Sequence, residues 1–95
     1  MTTMSDTEVK AALGDLPGWE LVGAEIVKEY KFADFVAAIA FVNELADRAE
    51  AANHHPDIDI RWNKVRLALS THSEGGLTQN DFSLAAEIES LAGTR

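Results

Sequence analysis

A chain of 95 residues has room for one small core, burying roughly 60 to 65% of the unfolded surface, so a single domain spanning residues 1–95 is expected and self-association would help it. Sixteen acidic residues against eight basic give a net charge of -8, which disfavours direct contact with nucleic acid or anionic lipid. With 46% apolar and 25% charged residues the balance is that of a soluble globular protein, and the lack of cysteine excludes disulfides and thiolate chemistry.

Along the chain, Ser5 and Glu8 have the spacing of a capping box, and Val9, Ala12, Leu13 and Leu16 follow at helical intervals, so a short helix should stop near Gly14 to Pro17. The period then changes. Trp19, Leu21, Ile26, Tyr30 and Phe32 fall on one side and Glu25, Glu29 and Lys31 on the other, which predicts a hairpin turning at Gly23-Ala24. Asp34 is placed to cap a long second helix with an apolar stripe of Phe35, Ala38, Ile39, Val42, Leu45, Ala46 and Ala49. Asn53 tolerates the left-handed conformation that ends helices, and Pro56 forbids continuation.

Ile58, Ile60 and Trp62 alternate with Asp57, Asp59 and Arg61, and the alternation resumes at Val65 after Asn63-Lys64. This predicts a second hairpin with Trp62, like Trp19, facing inward and His72 closing its last strand. Thr78 and Asp81 resemble a capping box with Asp in place of Glu, opening a third helix that carries Phe82, Ala85, Ala86, Ile88, Glu89 and Leu91 before a fraying tail, Gly93-Thr94-Arg95. The reading is an α+β fold of order α-β-β-α-β-β-α, with a four-stranded antiparallel sheet and three helices on one face. The opening Met-Thr-Thr-Met-Ser-Asp lacks a signal peptide's basic start and apolar run, and no stretch is long enough to span a bilayer, so a cytoplasmic location is expected.

All three histidines, His54, His55 and His72, lie between Glu50 and Asp81. Histidine exchanges protons near neutrality, so their concentration in one third of the chain invites an acid-base reading. Glu50 and His54 are four apart and would share a face if the helix persists, the carboxylate then orienting the ring; an ordinary surface ion pair is the plainer alternative. His55 could be a half-buried ring bonded to backbone. The same groups are ligand types for zinc, but no His-Glu-x-x-His string or cysteine pair supports a metal site. Arg61, Lys64 and Arg66 form a small basic patch that a solvated strand face explains equally well.

The spacing of Glu50, three residues, His54-His55-Pro56, five residues, Trp62, nine residues, His72, eight residues, Asp81 resembles the signature of the pterin-4a-carbinolamine dehydratases, and Gly18-Trp19, Leu69-Ser70-Thr71-His72 and Gly76-Leu77-Thr78 extend the resemblance over nearly the whole chain. The resemblance implies a hydro-lyase that dehydrates 4a-hydroxytetrahydrobiopterin to the quinonoid dihydropterin, recycling tetrahydrobiopterin after an aromatic amino-acid hydroxylase. It implies no metal and no cofactor beyond the pterin substrate, and assembly as a homodimer or homotetramer. With it, His54 and His72 become the expected acid-base pair, His55 positions the pterin and Glu50 orients His54. Asn53, His54, His55, Pro56, Ser70, Thr71, His72 and Ser73 would contact the ring, while Asp81 is read as holding backbone. Ser73 and Asn80 stand where animal members carry acidic and basic residues. A non-catalytic interaction module, of the kind that binds a transcription factor in animal members, and a His/Glu metal-binding protein are the alternatives.

Overall fold

The computed structural model describes residues 3–93, and Thr94 and Arg95 of the expected tail lie outside them. The elements are α1 (Asp6–Leu13), β1 (Glu20–Val22), β2 (Glu25–Lys31), α2 (Phe35–Ala52), β3 (Asp57–Arg61), β4 (Lys64–Leu69), a 3₁₀ turn (His72–Glu74) and α3 (Gln79–Gly93). The expected order holds. The sheet runs β1-β2-β4-β3, every neighbouring pair antiparallel. No described helix is long and apolar enough to cross a membrane.

Local chemistry sets the ends as expected. Ser5 and Glu8 complete a reciprocal capping box on α1, and Asp34 Oδ1 accepts the Ala37 N–H at 2.8 Å to start α2. Asn53 ends α2 in the left-handed region, φ 51°, with its N–H and that of His54 turned back onto the last carbonyls.

The register pairs Ile26 with Leu69, Lys28 with Leu67 and Tyr30 with Val65 on the face the helices cover. Phe41, Leu45, Leu84, Ala85 and Ile88 of α2 and α3 complete that core. The opposite face pairs Glu29 with Arg66, Asp59 with Arg66 and Lys31 with Lys64, and is charged. The buried stripe of α2 is Ala38, Phe41, Leu45 and Ala49, so the stripe predicted from Phe35 and Ala46 is rotated: Phe35 is 50% exposed and Phe41 takes the core position.

Trp62 corrects the sequence reading. Arg61 pairs with Lys64, so the turn is Trp62-Asn63 rather than Asn63-Lys64, and Trp62 is 68% exposed with φ 54°. Asn63 is the cause: its Nδ2 donates to the Phe32 carbonyl at 2.8 Å and its carbonyl accepts the Phe32 N–H at 2.8 Å, which anchors it beneath the hairpin and moves the turn one residue earlier. His72 likewise begins the 3₁₀ turn rather than closing β4, and Gly93 ends α3 rather than fraying.

A polar clasp crosses the edge of the core. Glu89 Oε1 on α3 accepts from Trp19 Nε1 at 3.1 Å, from Lys28 Nζ at 2.5 Å and from the Tyr30 hydroxyl, while Lys28 Nζ also donates to the Pro17 carbonyl at 2.7 Å. Burial, and then the neighbouring Glu89 carboxylate, push the Tyr30 phenol well above its ordinary value. Partial burial works to raise the Glu89 carboxyl, but the bonds from Lys28, Tyr30 and Trp19 outweigh it and hold the group below its usual range.

Candidate active site

The left-handed cap at Asn53 decides where the two adjacent histidines go. It ends the helix before His54, so the four-residue spacing from Glu50 no longer defines a shared face. His54 turns toward α3, where its Nε2 lies 2.6 Å from Asp81 Oδ1. His55 turns outward, and its Nε2 meets Glu50 Oε2 in a pair whose side chains are both exposed. The expected partnership is thus corrected: Glu50 holds His55, and Asp81 holds His54. A metal reading built on Glu50 with His54 loses its geometry, and among the described residues no three His, Cys, Asp or Glu gather closely enough to hold an ion.

Asp81 is fully buried in the first turn of α3. Its Oδ2 accepts the Thr78 backbone N–H at 2.9 Å, the expected cap, and the Thr71 hydroxyl at 2.8 Å. With one oxygen fixed by two donors, the other is aimed at His54. The carboxylate accepts the ring's Nε2–H, so in the neutral ring Nδ1 is the acceptor nitrogen.

Thr71 immediately precedes His72, so one carboxylate ties the two segments that carry His54 and His72. His72 is exposed, as are Asn53, His55 and Ser73, whereas His54, Pro56 and Ser70 are partly covered. Thr71 is buried, and its hydroxyl is occupied by Asp81 and Thr78. Asp81 is the residue that the site reading passed over. The signal was there in its membership of the spacing pattern, but a capping role accounted for it without any partner in space. Concavities of about 350, 280 and 270 Å³ occur elsewhere on the surface, and none is lined by a histidine.

Comparison with known proteins shows the family to which the chain belongs. Residues 2–91 match the model of the family described as pterin 4 alpha carbinolamine dehydratase. A relative from Acidobacterium capsulatum that carries the pterin-4-alpha-carbinolamine dehydratase name is 55% identical over 91 residues, covering 96% of this chain and 99% of its own. One from Roseiflexus, with the same activity in its name, is 56% identical over 90 residues, covering 95% and 97%. Among solved structures, a transcriptional coactivator/pterin dehydratase from Brucella melitensis superposes with a TM-score of 0.94 at 35% identity, covering 97% of this chain and all of that one. A pterin dehydratase-like RuBisCO assembly factor of the alpha-carboxysome, at 24% identity, TM-score 0.67 and coverage of 79% and 87%, shares the fold. The chain belongs to the pterin-4-alpha-carbinolamine dehydratase family and is a hydro-lyase.

Proposed function

We propose that the protein dehydrates 4a-hydroxytetrahydrobiopterin to the quinonoid dihydropterin by histidine acid-base catalysis, in the recycling that follows aromatic amino-acid hydroxylation. The observation that carries this reading is the Asp81 bridge, which joins the His54 ring to the residue before His72. In the reaction one imidazole delivers a proton to the 4a hydroxyl as the C4a–O bond breaks and water leaves. The other takes the N5 proton, and the electrons of that N–H bond form C4a=N5. His54, oriented through Nε2 with Nδ1 free, and His72, exposed at the start of its turn, suit the two roles, which exchange between substrate stereoisomers. His55, steadied by Glu50, would position the pterin. The test is steady-state dehydration by His54→Ala and His72→Ala: each should lose about 10²-fold or more in turnover, and near-parental rates in both contradict the assignment.

Self-association belongs to the same proposal. The edge strand β3 is exposed throughout, and Ile58 (40%) and Ile60 (36%) lie uncovered on the helix side of the sheet. Paired antiparallel to its copy about Ile60, each Asp59 would face the partner's Arg61. Asp59→Arg and Arg61→Asp should therefore each sediment as monomers and form a dimer when mixed, and a monomeric parent contradicts the pairing. An interaction role is a second reading, favoured by the exposed Phe35 and Val36 (50% and 75%) and by the coactivator in the name of the Brucella relative. Co-purification of a transcription factor from native extract would support it.

A further inference from the structure

We infer that Thr71 is a positioning residue, whose hydroxyl fixes the two imidazole-bearing segments relative to one another; this rests on the reading of His54 and His72 as the acid-base pair. Its backbone belongs to the His72 loop. The Thr71 N–H donates to the Gly76 carbonyl at 3.0 Å, and its own carbonyl accepts from Glu74 at 3.0 Å and Gly76 at 3.4 Å, closing the loop that contains the 3₁₀ turn. Its side chain belongs to the His54 system. The hydroxyl donates to Asp81 Oδ2 at 2.8 Å, so at its 2.7 Å contact with Thr78 Oγ1 it must accept.

The direction of the whole chain follows. Thr78 donates to Thr71, Thr71 donates to Asp81, and Asp81 accepts from His54; the Thr78 oxygen in turn accepts the Asn80 N–H at 3.3 Å. Each hydroxyl has one proton to give, so no other orientation satisfies both threonines and the carboxylate. Thr71 and Thr78 are 7% and 0% exposed, which keeps water from replacing either bond. The other titratable groups close by along the chain are His72, Glu74 and Asp57, all exposed, and Glu50 with His55, which engage each other.

Removing the Thr71 hydroxyl would leave Oδ2 held by the Thr78 N–H alone, a bond that fixes the start of α3 but not the rotation of the carboxylate about it. The His54 ring would then lose its orientation while the helix stays in place. A threonine that only filled space would have no such effect. Thr71→Val keeps the shape and removes the donor, and Thr71→Ser keeps the donor and removes the methyl group.

The test reads two quantities. The first is the His54 ring N–H signal of the ligand-free protein in nitrogen-15 spectra, which needs no substrate. The second is the kcat and KM for dehydration. Thr71→Val should broaden or shift the His54 N–H signal and lower kcat about 10-fold with KM within about twofold, and Thr71→Ser should restore both. An unchanged His54 signal in Thr71→Val, or equal impairment in Thr71→Ser, overturns the inference. A shifted signal with unchanged turnover supports the positioning of the ring and overturns the catalytic role of His54. If Thr71→Val does not fold, Thr78→Val, which removes the donor to Thr71, should give the same kind of change in smaller measure, and its absence there is equally decisive.

Discussion

Replacing Glu89 with alanine removes the one oxygen on which three donors converge. Trp19 and Tyr30 are 5% and 9% exposed, and their Nε1–H and hydroxyl would each be left in a largely dry site. A stranded buried donor costs about 1–3 kcal/mol. Lys28 keeps the Pro17 carbonyl and is partly solvated, so its lost ion pair adds at most about 1 kcal/mol. The sum is about 2–7 kcal/mol, which in a domain of this size lowers Tm by about 8 °C or more. Urea unfolding followed by far-ultraviolet circular dichroism measures it, and Trp19 fluorescence in a Trp62→Phe background reports the clasp locally. Tyr30→Phe, which removes a donor without stranding one, should cost no more than about 1 kcal/mol. The carboxyl of Glu89 is held below its ordinary value of 4.5, so its share of the stability is complete above that pH and is lost as pH falls through the lower folded value. Glu89→Gln should remove that part of the acid dependence. A Glu89→Ala protein within about 1 kcal/mol of the parent refutes the clasp.

Two further outcomes follow from the site and the turn. In Asp81→Asn the amide oxygen must keep the Thr78 N–H, which presents the NH₂ to His54 and forces the ring proton onto Nδ1; turnover should fall about 10²-fold while stability, read by urea unfolding, falls by only about 1 kcal/mol. Trp62→Gly should leave the protein within about 1 kcal/mol of the parent or slightly more stable, since the ring is exposed and φ 54° suits glycine. A core tryptophan there would cost about 3–5 kcal/mol, so a loss of that size sinks the turn assignment.

What the sequence made legible was mostly short-range. The box at Ser5 and Glu8, the caps at Asp34 and Asn53 and the turn at Gly23-Ala24 depend on residues within a few positions of each other, and all stand where expected. The misplacements arose where a distant contact overrode a local pattern. Period-two alternation ran through Trp62, but Asn63 is tied to Phe32, 31 positions away, and that bond moved the turn. The spacing of Glu50 and His54 promised a helical pair, but the left-handed Asn53 ended the helix between them and gave each a different partner. His54 and Asp81 are 27 positions apart, and no periodicity links them. The resemblance placed both in one pattern without saying that they touch.

The most direct test of the account is a titration of the protein with 7,8-dihydrobiopterin while the ring signals of His54, His55 and His72 are followed by NMR. The two segments joined by Asp81 should report one binding event, with the His54 and His72 signals moving along the same saturation curve. A response confined to a single ring, with the other unmoved at saturation, contradicts a shared site.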